Sequence, residues 1–146
     1  MSMSNDTEND LLLLLFNNTA FANIGDAGGL QPSAAAGSFY VALHTSDPGE
    51  GGDQTTNEIS YTGYARVAAA RTAGGWTVVT NTVSNTAAVQ FGECTAGSGT
   101  ANYVSIGLAA SGASQIIVSG ALSASRAISA GITPLFNASA LTFTAD

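Results

Sequence analysis

The hydrophobic pattern of the chain changes close to residue 38. Before it, the polar and acidic stretch 6–10 leads directly into Leu11–Phe16, a run of five leucines and a phenylalanine. Side-chain oxygens in a first turn accept from its free N–H groups, and acids there complement the helix dipole, so we predict a short helix over about residues 6–17. The leucines would cover every side of that helix, which predicts burial on more than one side.

The residues after this helix change twice in character. Residues 24–37 are rich in Gly, Ala and Ser, a composition typical of a flexible connection. From Phe39 onward, apolar and small or polar residues alternate with a period of two, which indicates strands. We therefore predict an N-terminal arm over residues 1–38, which holds the helix and the connection, and a β domain over residues 39–146.

Short runs of β-branched and aromatic residues divide the β domain at intervals of about ten to twelve residues. This spacing predicts a mostly β fold, a single β-sandwich, jelly-roll-like or barrel domain with the short helix at its N-terminal side. The Gly-containing segments 73–75 and 111–113 are typical of hairpin turns. The predicted strands are Phe39–Thr45, Tyr64–Ala70, Trp76–Thr80, Ala87–Phe91, Tyr103–Ala109, Gln115–Leu122, Ala127–Ser129 and Leu141–Thr144.

Composition adds strong limits on the partners of the chain. Only 9% of the 146 residues are charged, against about 25% in a typical soluble domain, and the formal net charge is -7 with no lysine. We expect neither nucleic acid nor an anionic membrane as a partner, because both interactions rely on clustered Lys and Arg. The longest apolar run, Leu11–Phe16, is also far shorter than the roughly 20 residues that span a bilayer.

Few residues are suited to catalysis or metal binding. His44 is the only histidine and Cys94 the only cysteine, so one chain holds neither a disulfide nor a cysteine-based metal site. Strand alternation places His44 on the face opposite Val41 and Leu43, and a structural or surface role is favoured over a catalytic one. We expect no enzymatic activity, no cofactor and no metal.

The long break at residues 46–61 holds four of the ten acids. Its segment Asp47–Asp53 is the best candidate for binding a hard cation such as calcium, although a solvated turn is the favoured interpretation. Arg66 lies beside Tyr64 in a predicted strand. It either bridges to an acid of this loop, for instance Glu58, or stays exposed and contributes little.

Several segments together carry a resemblance to a known family. Residues 39–48 read FYVALHTSDP, residues 57–67 read NEISYTGYARV and residues 84–91 read SNTAAVQF. The motifs YVSIGL, SGAL and LTFT follow at 103–108, 119–122 and 141–144. This series resembles a family of small virion proteins of tailed bacteriophages, whose members are often labelled tail fibre proteins or head decoration proteins.

The resemblance implies a structural function without catalytic residues. The first hypothesis is a capsid decoration or cement protein, a homotrimer on the capsid exterior that binds the major capsid protein between capsomers and stabilises the shell. The alternative is a tail fibre or tail-tip component that contacts the host surface. In either case we expect the protein in the virion. The residues predicted to form the interface are Leu11, Leu12, Leu13, Leu14, Leu15, Phe16, Phe21, Tyr64 and Arg66.

Overall fold

A computed structural model describes residues 2–145 of the chain. It contains one helix, α1 (Asn5–Asn17), and antiparallel strands arranged in sheets, none of which closes into a barrel within this range. The mostly β class with a short N-terminal helix is thus confirmed. The strands are β1 (Ser38–His44), β2 (Val67–Ala70), β3 (Trp76–Val79), β4 (Thr82–Asn85), β5 (Val89–Gln90), β6 (Ser98–Gly107), β7 (Ile116–Ser129), β8 (Leu135–Phe136) and β9 (Thr142–Thr144).

The chain divides into two compact units. Unit 1 comprises Met1–Ser38, Ala69–Ala88 and Phe136–Asp146, and unit 2 comprises Phe39–Ala68 and Val89–Leu135. The chain therefore passes from one unit to the other four times. The division into an arm over residues 1–38 and a β domain over residues 39–146 stays a prediction. Across the described residues, no helix has the length and hydropathy needed to cross a membrane.

Unit 1 is built around one face of α1. Ser4 begins the helix, since its hydroxyl accepts from the N–H of Thr7, and Glu8, Leu12 and Phe16 form the buried face. The Phe16 ring meets the Trp76 ring edge-on, with 5.2 Å between their centroids. The other four leucines of the run are half-buried, so α1 has one fully buried face and partial cover elsewhere.

The sheet of unit 1 has the strand order β3-β4-β9. We predicted that the turn at 73–75 would join two paired strands, and this is wrong, because β2 and β3 belong to different sheets. The partner of β3 is β4, which follows a two-residue turn at Thr80-Asn81. The sequence pattern does not reveal β4, since three of its four residues are polar.

The main sheet has the strand order β2-β1-β6-β7. Its strands β1, β6 and β7 contain most of the strand residues of unit 2. β1 pairs with β6 from Tyr40 opposite Gly107 to His44 opposite Tyr103. From Val41 to His44 every residue of β1 is buried, so both faces of this strand are covered. The turn at 111–113 lies between β6 and β7, which are antiparallel neighbours, as predicted.

Two predicted strands of unit 2 differ from the structure. The strands predicted at 115–122 and 127–129 are a single strand, β7, in which a bulge opposes residues 122–125 to Asn102 alone. The bulge reads LSAS, and Ser123, Ala124 and Ser125 interrupt the β-branched pattern as a turn would. The strand predicted at Tyr64–Ala70 begins only at Val67, and Gly63, just before the predicted range, has a φ of +102°.

Candidate interaction site

Arg66 binds two loops of unit 2 together. Its Nε donates to Glu58 Oε1 at 2.7 Å and its Nη2 to Glu58 Oε2 at 2.8 Å, a bidentate ion pair. Its other N–H groups donate to Gln54 Oε1 and to the carbonyls of Ala109 and Gly112. All five donors of the guanidinium are thus used. Of the two alternatives for Arg66, the structure shows the bridge to Glu58, and Arg66 thereby attaches the loop 46–61 to the loop between β6 and β7.

Tyr64 completes this polar cluster. Its hydroxyl donates to Glu58 Oε1 at 2.9 Å and accepts from the N–H of Leu43 at 3.1 Å, while its ring stacks on Phe91. Burial raises the pKa of the Tyr64 phenol far above its usual value of 10.0. The hydrogen bond from Arg66 to Glu58 raises the pKa of the guanidinium. Both groups therefore keep one protonation state over the physiological pH range.

Gln54 is the third member of the cluster, and the sequence pattern gave no reason to select it. It is fully buried, its Nε2 donates to the carbonyl of Tyr40, and its Oε1 accepts from Ser114 Oγ at 2.7 Å. The side chain occupies the space that a Cβ at Gly107 would take. One sequence signal indicates this close approach. Gly107 stands in β6, where apolar residues alternate with small ones, and a glycine inside a strand often marks the close approach of another group.

His44 is buried and has a partner at each ring nitrogen. Nδ1 lies 2.9 Å from the carbonyl oxygen of Thr56, so Nδ1 carries the proton, and Nε2 lies 2.7 Å from Ser105 Oγ, which donates to it. Burial lowers the pKa of His44 below 6.5. Since both nitrogens are engaged, the structural role favoured from the sequence agrees with this geometry.

The acidic loop and Cys94 show no arrangement of metal ligands. Asp47 accepts from the N–H of Gly49, and Asp53 accepts from the N–H and hydroxyl of Thr55, as in ordinary polar turns. Those Thr55 bonds lower the pKa of Asp53. Cys94 is buried, with Sγ 3.5 Å from the carbonyls of Ala96 and Gly97. Between residues 2 and 145, His, Cys, Asp and Glu form no group of three suited to a metal ion.

The leucine run in unit 1 divides into core and surface. Leu12 and Phe16 are 3% and 0% exposed and belong to the core, while Leu11, Leu13, Leu14 and Leu15 are half-buried. Phe21 is also half-buried, and its backbone pairs with that of Leu30, whose side chain is 44% exposed. Any contact of α1 with another protein therefore falls to the half-buried leucines and not to Leu12 or Phe16.

The C-terminal end of α1 is bound by a residue that we did not select from the sequence. Arg71 Nη2 donates to the carbonyl of Leu14 at 2.9 Å and Nε to that of Leu15 at 2.6 Å. Arg71 Nη1 also donates to the carbonyl of Ala36. A cation at the negative end of the helix dipole stabilises α1, which has no basic residue in its own last turn.

The predicted interface residues therefore lie in two separate places. Leu11–Phe16 and Phe21 belong to unit 1, whereas Tyr64 and Arg66 belong to unit 2. The hydrogen-bonding groups of Tyr64 and Arg66 are used within their own unit, so these residues shape the loops of unit 2. The contribution of all nine residues to an interface stays a prediction.

Comparison with known proteins gave one family. The model of a family described as Podophage GP4 fiber I protein gp80 matches residues 2–144. No curated protein matches the chain. The matched range includes α1, every strand and both of the loops that Arg66 connects.

Proposed function

The chain belongs to the podophage GP4 fiber I protein gp80 family, and from that membership we propose that it is a subunit of a virion fibre. It is a structural virion protein of a tailed bacteriophage. The description of the family as a fibre protein supports the fibre role. The predicted contact of a fibre with the host surface belongs to the same proposal.

We propose that this role involves protein contacts and no catalysis. The side chains best suited to acid–base or electrostatic chemistry have partners inside unit 2. His44 is hydrogen-bonded to Thr56 and Ser105, and Arg66 forms an ion pair with Glu58. A catalytic site needs a base and a reacting group that converge on a substrate. The net charge of -7 supports partners that are proteins, and neither nucleic acid nor an anionic membrane. No cofactor is part of the proposal.

The second candidate is a capsid decoration protein that binds the major capsid protein. The half-buried leucines of α1 support it, because apolar side chains at the surface of a charge-poor chain favour contact with another protein. Many copies bound only to the assembled shell would stabilise it by mass action. For either role we propose that the chain assembles with copies of itself, as a homotrimer.

The position and copy number of the chain in purified particles test these proposals. Cryo-electron microscopy of intact virions, with quantitative mass spectrometry of their proteins, gives both values. A few copies up to a few dozen, located on fibres of the tail, would support the fibre role. Hundreds of copies on the capsid exterior would support decoration and contradict the fibre role. Absence from purified virions would contradict both.

A further inference from the structure

One side chain on the buried face of α1 lacks the partner that its burial requires. Glu8 is 3% exposed, although it carries a carboxylate. Among the residues that the structure describes, its Oε2 has no hydrogen-bond partner. Burial of a carboxylate without a donor or a cation is among the most costly changes in folding, and buried polar atoms are normally hydrogen-bonded. Glu8 therefore lowers the stability of the packed helix.

The burial of α1 does not follow the polarity of its side chains. Glu8, Leu12 and Phe16 follow one another at intervals of four and form the fully buried face. The other four leucines of the run lie on the remaining faces and are only half-buried. A helix placed by its own hydrophobicity would turn one of these leucines inward instead of Glu8. Other contacts must therefore fix the orientation of α1.

The hydrogen bonds that fix α1 to the rest of unit 1 lie at its C-terminal end. Arg71 donates to the carbonyls of Leu14 and Leu15, and the side chain of Asn18 pairs with the backbone of Ser33. The aromatic contacts of α1 lie at the same end of the helix. These contacts hold the last part of α1 on the sheet β3-β4-β9 and set the face that the earlier turns present to it.

The N-terminal turns of α1, which we define as Asn5–Leu11, have no comparable anchor. For residues 2–11, the side-chain hydrogen bonds are local and join Ser4 to Thr7. Glu8 is the most deeply buried side chain of these turns, and its burial opposes their packing on the sheet. The same helix is thus firmly attached at one end and weakly attached at the other.

We propose that the N-terminal turns are a conformational switch, which is docked in the free chain and released when the chain enters the virion. Release returns the Glu8 carboxylate to water and frees Leu11 for contact with a neighbouring virion protein. Leu12 and Phe16 stay in the core. A partner that binds the released form shifts the equilibrium toward it, and a weakly stable docked form needs only a modest shift. This inference rests on the proposed function and names how attachment through α1 is controlled.

Two matched variants of the full chain test the role of Glu8. Glu8→Met replaces the carboxylate by an apolar side chain of similar length, whereas Asp6→Met removes the same charge from an exposed position in the first turn. Both variants lose a favourable interaction with the helix dipole. Glu8→Met also removes an unpartnered buried group and should raise the melting temperature by about 2 to 8 °C, which Asp6→Met should not do. A melting temperature of Glu8→Met at or below that of wild type would overturn the proposal.

Hydrogen exchange measured by NMR follows the release directly. Amides of Asn9–Leu12 bond to the carbonyls of residues 5–8 and lose protection when the N-terminal turns open. In wild type they should exchange at least about tenfold faster than the amides of Leu14–Asn17, because only the latter belong to the anchored end. In Glu8→Met this difference should shrink. Equal rates in the two halves of wild-type α1 would show that the turns do not open separately.

Incorporation into virions tests the link between release and assembly. Because Glu8→Met favours the docked form, its copy number in purified virions should fall severalfold below that of wild type, while Asp6→Met should keep the wild-type number. A stabilised Glu8→Met at the wild-type copy number would overturn release on assembly. Absence of the wild-type chain from virions would instead overturn the proposed function, whereas the melting temperatures and exchange rates still decide whether the N-terminal turns open.

Discussion

At the residue scale, the ion pair of Arg66 and Glu58 has the features that make a buried ion pair favourable. The Arg66 side chain is 2% exposed and the Glu58 side chain 17% exposed, so both charges have lost most of their hydration. The bidentate geometry and the further acceptors of the guanidinium compensate for that cost. A single missing partner would leave a charge without compensation inside unit 2.

Arg66→Met is therefore expected to destabilise the protein more than removal of an ordinary surface charge. It leaves the Glu58 carboxylate without its bidentate donor and removes one of the donors to Gln54 Oε1. This should lower the free energy of unfolding by about 3 to 5 kcal/mol. Urea unfolding measures this change. Glu50→Gln, which removes an exposed charge from the same loop, should change stability by less than about 0.5 kcal/mol. Similar values for the two variants would contradict the structural role of Arg66.

His44 predicts a pH dependence of stability whose sign follows from its burial. The pKa of His44 is lowered in the native state, chiefly by burial, while Glu58 opposes and Arg66 reinforces this effect. Below pH 6.5, the ordinary value, the unfolded chain takes up a proton that the native chain binds less readily. The free energy of unfolding should thus fall as the pH is lowered through this window and stay level above it.

Thermal or urea unfolding between about pH 7.5 and pH 5 tests the His44 prediction, in a range where carboxylates hardly titrate. Because the chain has one histidine, His44→Gln is a direct control. That variant should be less stable than wild type but nearly independent of pH in the same range. An equal slope in both proteins would show that the dependence arises from another group.

Residue chemistry made part of this cluster predictable. An arginine in a chain with so few cations, close in sequence to an acidic loop, made the bridge to Glu58 one of two alternatives, and the structure shows the bridge. Gln54 and the carbonyl of Gly112 were not predictable, because their positions depend on the path of two loops. Local sequence patterns do not encode which loop lies against which.

At the element scale, α1 depends on contacts from distant parts of unit 1. Its buried face packs on β3 and β4, and Arg71 binds the carbonyls of Leu14 and Leu15 at its C-terminal end. Asn18 ends the helix in a left-handed conformation, and its side-chain amide forms two hydrogen bonds with the backbone of Ser33. A helix of 13 residues gains most of its stability from such packing and capping.

Arg71→Met should weaken α1 selectively. Loss of the hydrogen bonds to Leu14 and Leu15 and of the favourable dipole interaction is expected to cost about 1 to 2 kcal/mol. In Arg71→Met, amides in the last turn of α1 should exchange faster than in wild type, and this increase should exceed any increase in β1 or β6. Arg71→Lys retains the charge without the planar guanidinium. The exchange rate of its α1 amides should therefore lie between those of wild type and Arg71→Met. Equal protection of α1 in wild type and Arg71→Met would contradict the capping role.

The elements that could be predicted are those with a strong local pattern. The leucine run between polar segments indicated α1, and the alternation of Val104, Ile106 and Leu108 indicated the second half of β6. β4 and β8 were missed because each is short and gains its strand geometry from the neighbouring strand. β7 was divided in two because Ser123, Ala124 and Ser125, in its bulge, interrupt the run of β-branched residues.

At the scale of the whole molecule, the shortage of charge is greatest in one part of the chain, its C-terminal third. Composition alone indicated which partners to exclude, whereas the structure shows that the nearly neutral C-terminal third includes an exposed sheet edge. The acids lie in the segments before residue 94 and at the C-terminal residue. The half-buried leucines of α1 in unit 1 and the nearly neutral strand β7 in unit 2 are thus two different surfaces of the chain.

Variants of α1 should show whether its half-buried leucines attach the chain to the virion. Leu11→Ser with Leu14→Ser changes half-buried side chains and should lower the copy number in virions without changing the oligomer in solution. Leu12→Ala is the control for loss of core packing, expected to cost about 2 to 5 kcal/mol. If the Leu11 and Leu14 variant remains in virions at the wild-type copy number, α1 is a structural element of unit 1 and not the attachment surface.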